Sequence, residues 1–389
     1  MKSIIFDIQK TDGDARLGSI TTSHGVFETP AFMPVATQGS VKTLSPYELK
    51  KIGVQILLSN AYHLALRPGI DVIETIGGLH RFMGWEGPIL TDSGGFQTFS
   101  LGRLHKFSDE GVSFRSHIDG SEHFLTPEMC ISYQERLGVD IAMVLDQCPP
   151  HELDKTLMRQ ALNRTHQWAA RSKQVDKPDG PAMFGIVQGG LSIALRKESA
   201  EFLVPLDFDG YALGGLSVGE PKAEMYEMVQ LVHEMLPLNK PRYLMGVGSP
   251  EDIVVCIGYG IDMFDSTLPT RVARHGGLLT SLGRLNLLGS RFEMDENPIE
   301  DECNCHTCQG FSRAYIHHLF KAREFLAYRL ASIHNLSFMG RLIDDIKKAI
   351  KEGKFHEFKE EFIAHYRSTN EEVRLMQRRK WVRSYRYKD

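Results

Sequence analysis

The chain has 389 residues, of which 42% are hydrophobic and 24% are charged, a composition ordinary for a globular protein with a large core. Its net charge of −4 excludes a global basic field, so any contact with a polyanion must use a local patch. The sequence contains no run of about 18 apolar residues and its N-terminal segment lacks signal-peptide organisation, which predicts a cytoplasmic protein without a membrane span.

The first part of the chain alternates polar and apolar residues around short turns. Residues 3–35 turn at 12–14 and at 24–25, which predicts an antiparallel hairpin leading into the first buried strand. Residues 99–126 alternate in the same way and predict a hairpin insertion. Apolar segments bounded by polar residues and glycines indicate buried strands. Eight such segments begin at Pro30, Val54, Pro88, Asp140, Ala182, Gly210, Arg242 and Ile261.

Helical segments separate the later strands, at residues 127–137, 151–173, 192–204, 222–236 and 251–259. Strands that alternate with helices are typical of parallel βαβ units, and eight units predict a closed (β/α)8 TIM barrel. An open, doubly wound sheet is the alternative. We expect the barrel with its insertion to occupy residues 1–280. A zinc-binding subdomain with helices at 312–336, 341–352 and 355–366, packed on the barrel, is expected to occupy residues 281–389.

Polar or flexible residues follow most of the predicted strands. The C-terminal ends of barrel strands meet at one rim, where barrel enzymes keep their sites, so these strand ends predict a common pocket. A single aspartate in such a place can instead cap a turn, and a glycine pair can simply form one. The coincidence of several strand ends favours the pocket, which would contain Asp92, Asp146, Gln188, Gly214, Gly215, Met245, Gly246 and Asp265.

The residue types in this pocket suit displacement at a sugar carbon. Two carboxylates in different surroundings can act as nucleophile and acid/base at an anomeric centre, through an oxocarbenium-like transition state. A further carboxylate, Asp146, suits the N1–H and exocyclic amine of guanine, while Gln188 and the Gly215 N–H suit its O6. Phe96 and Met245 could stack on the two faces of the base, and plain core packing is the alternative for both.

Three of the six cysteines, Cys303, Cys305 and Cys308, lie within six residues, which favours a metal site over disulfides. Three thiolates need a fourth ligand to close a tetrahedral zinc site, and a full set of four favours a structural Zn²⁺ over a catalytic one. An iron–sulfur cluster would need a fourth cysteine, and the others lie far off in the barrel segment. The candidates for the fourth ligand are His306, His317, His318 and His334.

Several motifs resemble, in their order along the chain, those of bacterial tRNA-guanine transglycosylase. They are residues 91–97 (TDSGGFQ), 185–190 (GIVQGG), 214–220 (GGLSVGE), 245–248 (MGVG), 265–271 (DSTLPTR) and the cysteine cluster. The resemblance implies a (β/α)8 barrel with a zinc subdomain. It also implies an enzyme that exchanges guanine at wobble position 34 of tRNAs with GUN anticodons, those for aspartate, asparagine, histidine and tyrosine, for the queuosine precursor preQ1.

The same resemblance implies residue roles. Asp265 would attack C1′ and form a covalent ribosyl-enzyme intermediate, with Asp92 as the general acid/base. His334 would be the fourth zinc ligand, with Cys303, Cys305 and Cys308. The base would be bound by Ser93, Gly94, Gly95, Phe96, Asp146, Gln188, Gly215, Leu216 and Met245. The tRNA anticodon loop would contact Gly246, Val247, Gly248, Ser249, Pro250, Glu251, Asp252, Thr270, Arg271, Val272, Ala273 and Arg274, with both arginines on its phosphates.

A few positions refine the resemblance. Val218 and Cys148 match the bacterial pattern. Phe96 stands where many members carry Tyr, Ser266 where Cys is common, and Val272 where Asn is usual, and these departures concern details of RNA contact. The family is also similar in forming homodimers, in which one subunit catalyses while the other helps to hold the tRNA. The basic, aromatic tail at 374–389 is a candidate for that second contact, or a solvated helical end.

Two other classes of function compete with this interpretation. The first is a barrel hydrolase or lyase that uses the carboxylates on a small sugar. Such an enzyme would have no need of the turn that carries Arg271 and Arg274, or of the cysteine cluster. The second is an RNA-binding module without catalysis, which would have no need of carboxylates at strand ends.

Overall fold

The computed structural model describes residues 4–95, 105–149, 154–369 and Met376. Phe96, which the sequence predicts to stack on the base, lies outside the described residues. The beginning of the predicted insertion and nearly all of the basic tail also lie outside them.

Within the described residues, eight parallel strands close into a barrel, in which each strand pairs with the next and the eighth pairs with the first. The closure confirms the predicted (β/α)8 barrel and excludes the open sheet. Each strand begins within a few residues of its predicted start. The strands are Ala31–Ala36, Leu57–Asn60, Ile89–Asp92, Ile141–Met143, Ala182–Val187, Gly210–Leu213, Arg242–Leu244 and Met263–Ser266, here called the first to eighth barrel strands.

The strand register brings the polar strand ends to one rim. Asp265 pairs with Met33 across the closing seam, and Asp92 pairs with Asn60 between the second and third barrel strands. The strands are short and almost wholly buried, as expected for a parallel sheet covered by helices. The C-terminal rim of the barrel therefore collects side chains that lie far apart in the sequence.

The helices that follow the strands begin at local capping signals. Thr126 accepts a hydrogen bond from the Met129 N–H at the start of one helix, and Ser192 does the same for Leu195 in another. The helices up to the eighth barrel strand and just after it are Pro46–Ile52, Ala61–Leu66, Ile70–Ile76, Leu79–Met83, Pro127–Leu137, Lys155–Gln174, Ile193–Leu203, Lys222–His233, Pro250–Ile257 and Leu268–Ala273. Short 3-10 turns lie at Val204–Leu206 and Ser290–Phe292.

In the part of the chain that the structure describes, three antiparallel sheets lie outside the barrel. The predicted N-terminal hairpin is confirmed and gains a third strand, giving Ile5–Asp12, Ala15–Thr22 and Gly25–Thr29. The second sheet lies between the third and fourth barrel strands and contains His105–Phe107, Val112–Arg115 and Glu122–Leu125. The third is the hairpin Gly277–Thr280 with Gly283–Asn286, which follows the closing strand.

The opposite, N-terminal rim contains a buried carboxylate hub. Asp140 accepts hydrogen bonds from Ser23 Oγ at 2.9 Å and from the Ile89 N–H at 2.9 Å. His24 Nδ1 lies 2.9 Å from one oxygen and His80 Nε2 lies 3.3 Å from the other, with the two imidazole rings stacked at 3.6 Å. The two ring nitrogens thus face different oxygens of the Asp140 carboxylate. The hub ties the N-terminal sheet to the bottom of the barrel.

The C-terminal segment is helical, as predicted, but its helix boundaries differ. The helices are His306–Gly310, Arg313–Lys321, Phe325–Glu352 and Phe355–His365. The prediction of a break between residues 336 and 341 was wrong, because the long helix continues through Gly340 and buries its apolar face against the barrel core. The prediction of one helix from 312 to 336 was also wrong, because Arg323 takes a positive φ of 60° and ends the preceding helix.

Among the described residues, no helix is both long and apolar enough to cross a membrane. The division of the chain near residue 280 stays a prediction.

Candidate active site

Asp265 lies at the end of the eighth barrel strand, where two donors hold one of its oxygens. The Tyr243 hydroxyl donates to Oδ1 at 2.5 Å, and the Gly246 N–H donates to the same oxygen at 2.6 Å. Gly246 has a φ of 74°, a left-handed conformation that suits glycine and directs this N–H at the carboxylate. Burial raises the pKa of Asp265, and the two hydrogen bonds oppose that rise. None of the described residues hydrogen-bonds to Oδ2, which leaves that oxygen available for chemistry.

Asp92 lies at the end of the third barrel strand and is half-buried. Asn60 Nδ2 donates to Asp92 Oδ2 at 2.6 Å, while Asn60 Oδ1 accepts from the His63 N–H at 3.0 Å. The second contact caps a helix and fixes which end of the amide faces Asp92. The neutral amide of Asn60 thus orients the Asp92 carboxylate by donating a hydrogen bond to it.

The Tyr243 hydroxyl is affected by the charges of both carboxylates, Asp265 and Asp92. Burial raises the pKa of this hydroxyl well above the ordinary value, and the negative charges of Asp265 and Asp92 both add to that rise. Asp265 and Asp92 therefore both lie within electrostatic reach of the Tyr243 hydroxyl at the rim. Such a pair of carboxylates at the end of barrel strands is the arrangement expected for an enzyme site of this fold.

Asp146 and Gln188 form a second, more deeply buried part of the rim. Both side chains are at most 5% exposed, and Gln188 Nε2 donates to Asp146 Oδ2 at 2.7 Å. Burial raises the pKa of Asp146 to about 6, and the hydrogen bonds from Gln188 and Ser93 oppose that rise. Asp146 can therefore change its charge near neutral pH. Gln188 Oε1 is buried and receives no hydrogen bond from the described residues, which is the condition of a group that a ligand completes.

Glycines let the backbone approach these polar groups. A Cβ atom on Gly215 would lie 2.4 Å from Gln188 Oε1, and one on Gly95 would lie 2.4 Å from the Asp146 carbonyl oxygen. A Cβ atom on Gly94 would lie 2.4 Å from Tyr62 Cβ, and Gly94 also has a φ of 83°. Side chains at these positions would displace the groups that form the site, which explains why the strand ends are rich in glycine.

The remaining predicted base-binding residues surround this group. The hydroxyl of Ser93 lies 3.5 Å from Asp146 Oδ1 and accepts from the Gly95 N–H at 3.3 Å, so it links the turn after the third strand to Asp146. Leu216 is buried, and Met245 is half-buried beside Gly246. The structure thus places every described residue of the predicted base-binding set at the C-terminal rim or in the turns that follow it.

The residues predicted to contact RNA fall into two groups. In the first group, at 246–252, the acidic side chains bind other residues of the protein. Lys222 Nζ lies 2.7 Å from carboxylate oxygens of both Glu251 and Asp252, and the Tyr226 hydroxyl donates to Asp252 at 2.6 Å. Ser249 is partly exposed. Most of the other predicted RNA contacts are buried, namely Val247, Gly248, Pro250, Thr270, Val272 and Ala273.

The two arginines after the closing strand differ from these residues. Arg271 and Arg274 form no ion pair with the described residues, and Arg274 Nη1 donates to the Thr270 carbonyl at 3.0 Å. Desolvation and the nearby positive charges of Arg274 and Arg284 lower the pKa of Arg271. An uncompensated group of arginines beside a carboxylate site is suited to an anionic ligand.

A separate cluster in the C-terminal segment could hold a metal ion. The ligand atoms of Cys303, Cys305, Cys308 and His334 all lie within 4.8 Å of one another. His334 Nδ1 lies 3.8, 3.7 and 3.3 Å from the three sulfurs in that order, and its Nε2 donates to the Leu279 carbonyl at 2.8 Å. That outer hydrogen bond directs Nδ1 towards the cysteines, as expected of a metal-binding histidine. Three thiols and one imidazole fit a tetrahedral ion such as Zn²⁺.

Two residues beside the candidate carboxylates, Asn60 and Tyr243, were not predicted from the sequence. Asn60 ends the second barrel strand, and its position at a strand end was a signal that could have drawn attention to it. Tyr243 lies inside an apolar strand and is buried, so in the sequence it is indistinguishable from a core residue. Both were found only because the barrel places them beside a catalytic candidate from another strand.

The fold and this rim define a TIM-barrel enzyme with paired carboxylates at the ends of its strands. The family model for queuine tRNA-ribosyltransferase matches residues 11–368. A queuine tRNA-ribosyltransferase of Dehalococcoides mccartyi strain 195 is 52% identical over 381 residues, 98% of this chain and 97% of that relative. Relatives of the same description from Thermoanaerobacter sp. strain X514 and Caldanaerobacter subterraneus are 54% and 52% identical, over 94% and 96% of this chain and 98% and 100% of theirs.

The chain belongs to the queuine tRNA-ribosyltransferase family. It is therefore an enzyme of the pentosyltransferase class, as the sequence motifs had indicated.

Proposed function

We propose that this protein exchanges guanine at position 34 of tRNAs with GUN anticodons for preQ1, through a covalent intermediate on Asp265. The observation that carries the proposal is the shared region of Asp265 and Asp92 around the Tyr243 hydroxyl, next to the buried pair Asp146 and Gln188. Two carboxylates can carry out a double displacement at C1′, and the buried pair offers acceptor and donor groups to a guanine edge.

In the first step, Asp265 Oδ2 attacks C1′ of the ribose while the glycosidic bond to guanine breaks. The bond electrons leave with the base, and Asp92 gives up a proton to the departing guanine. Tyr243 and Gly246 hold Oδ1 in place, so the free oxygen can approach the sugar without reorientation of the side chain. Their hydrogen bonds also spread the negative charge, which favours departure of the carboxylate in the second step.

In the second step, Asp92 accepts a proton from the incoming preQ1, whose nitrogen then attacks C1′ and releases Asp265. The number of protons and bonds is conserved over the two steps, and no redox partner is needed. The nucleotide must leave its stack to reach the rim, at a cost of about a few kcal/mol that is smallest in a loop.

Base recognition is assigned to the buried pair and the glycine turns. Ionised Asp146 would accept hydrogen bonds from N1–H and the exocyclic amine, while the second N–H of Gln188 and the Gly215 N–H would meet O6. Met245 would lie against one face of the base. Arg271 and Arg274 would bind phosphates of the anticodon loop, since they have no ion pair among the described residues.

The cysteine cluster is assigned a structural Zn²⁺ with Cys303, Cys305, Cys308 and His334 as ligands. When bound, the ion would cross-link the segment at 303–308 to the long helix Phe325–Glu352, and a full ligand set leaves no position for catalysis. We also assign a boundary near residue 280 between the barrel and this subdomain, and a homodimer as the functional assembly. Sedimentation of the purified protein at micromolar concentration tests the dimer, and a monomer under those conditions would contradict it.

The decisive experiment incubates the protein with radiolabelled guanine and unmodified tRNA, because only a transglycosylase incorporates the label. We expect incorporation by the wild type, none by Asp265→Ala with tRNA binding retained, and a rate reduced by at least about a hundredfold in Asp92→Asn. A matched control is Asp209→Asn, because Asp209 binds the Met183 N–H at the opposite rim. Normal incorporation by Asp265→Ala would refute the covalent mechanism.

A further inference from the structure

A buried amide on the helix Pro127–Leu137 joins the two strands that end near Asp92 and Asp146. Gln134 is 0% exposed, and its side chain contacts the third and fourth barrel strands at the level where their C-terminal ends separate. Its Oε1 accepts from Thr91 Oγ1 at 2.9 Å and from the Met143 N–H at 3.0 Å. Its Nε2 donates to the Met143 carbonyl at 2.9 Å.

The amide takes the place of a neighbouring strand. The third and fourth barrel strands pair only through Leu90 with Ile141 and Thr91 with Ala142, and this pairing stops before Met143. Gln134 satisfies both the N–H and the C=O of Met143, as a strand partner would. The two strands can therefore diverge beyond this point without leaving buried backbone groups unsatisfied.

The point of divergence lies directly beneath the proposed site. Thr91 immediately precedes Asp92, and Met143 lies three residues before Asp146 in the sequence. One turn earlier on the same helix, Cys130 Sγ lies 3.3 Å from Gln134 Nε2 and 3.6 Å from the Ser93 carbonyl. Burial raises the pKa of this thiol, and the negative charges of Asp92 and Asp146 add to that rise.

We propose that Gln134 is a positioning residue, which sets the separation between Asp92 and Asp146 by clamping Thr91 and Met143. The inference rests on the proposed function, because the separation matters only if Asp146 holds the base while Asp92 exchanges protons with it. Gln134 touches neither the substrate nor the reacting atoms. Its effect is to place the acid/base at the correct distance from a base that another strand holds.

Three variants separate this role from a merely structural one. Gln134→Met keeps the approximate volume but removes every hydrogen bond of the clamp. Thr91→Val removes only the hydroxyl contact and retains the shape of the strand residue, so it is usable even if Gln134→Met does not fold. Gln134→Glu is nearly isosteric, and its protonated carboxyl can donate to the Met143 carbonyl and accept from the Met143 N–H, as the amide does.

We expect Gln134→Met to lower kcat for guanine exchange by at least about tenfold, and Thr91→Val by about threefold, with KM for tRNA changed by less than about twofold. Gln134→Glu should approach wild-type kcat at acidic pH and lose activity as the pH rises, because ionisation removes the donor to Met143. The activity ratio of Gln134→Glu to wild type should therefore fall with pH, whereas that of Gln134→Met should stay low throughout.

The matched control is Tyr211→Phe, which deletes a hydroxyl bound to the Val204 carbonyl at 3.2 Å at the other end of the barrel. It should lower the melting temperature while leaving kcat, KM and the pH profile unchanged. If Gln134→Met and Thr91→Val also change only the melting temperature, or if Gln134→Glu shows no pH-dependent rescue, the positioning role is refuted. Failure of the wild type to incorporate guanine would instead refute the proposed function, so the two outcomes are distinct.

Discussion

Replacing Asp146 with asparagine should weaken guanine binding while making the free protein no less stable at alkaline pH. Asparagine keeps one acceptor oxygen, but it puts an NH₂ group where the second oxygen now meets Gln188 or Ser93. Guanine then loses one of its two hydrogen bonds to Asp146, and the remaining one is made to a neutral acceptor. The binding free energy becomes less favourable by about 2 to 4 kcal/mol. This corresponds to an affinity lower by roughly thirtyfold to a thousandfold.

The stability effect has the opposite sign because the carboxylate is buried. Burial raises the pKa of Asp146 to about 6, above its ordinary value of 3.8, so the folded protein binds a proton more tightly than the unfolded chain. The contribution of Asp146 to the free energy of unfolding therefore falls by roughly 3 kcal/mol as the pH rises from about 4 to about 6. Above about pH 6 this contribution changes no further. Asp146→Asn does not ionise and lacks this loss.

The assay is guanine binding by calorimetry between pH 5 and pH 8, together with urea unfolding at the same pH values. Wild-type affinity should rise with pH up to about 6, because the bound base needs the ionised carboxylate, and the affinity of Asp146→Asn should be flat. Asp209→Asn, at the opposite rim, should bind guanine with wild-type affinity and the same pH dependence as wild type. Guanine affinity of Asp146→Asn within about threefold of wild type at pH 8 would refute the assignment.

Three further predictions test other parts of the structure. Tyr243→Phe should lower kcat by about ten- to a hundredfold with little change in tRNA affinity, since the hydroxyl orients Asp265, and an equal fall in binding would contradict that role. Cys305→Ser should release the metal and lower the melting temperature, and an unchanged zinc content by elemental analysis would contradict the cluster as its site. Arg274→Gln should weaken tRNA binding for all sequences and reduce the salt slope by about one charge, whereas Arg81→Gln, at the opposite rim, should not.

The sequence was sufficient to predict the barrel and to indicate that polar side chains and glycines follow its strands. Buried parallel strands need continuous apolar runs, and a run that ends in a carboxylate or a glycine pair is visible without any tertiary information. The cysteine spacing was equally clear, because three ligands within six residues can reach one ion whatever the rest of the chain does. These features depend on short stretches of chain, so a local pattern reveals them.

Tertiary structure decided which groups act on one another. Asn60 reaches Asp92, Tyr243 reaches Asp265, and Gln188 reaches Asp146 only because barrel closure places strands from separate parts of the chain side by side. The pKa of Asp146 likewise depends on burial by residues distant in sequence. Proximity, desolvation and hydrogen bonding at the rim are properties of the closed barrel, and no single stretch of the chain carries them.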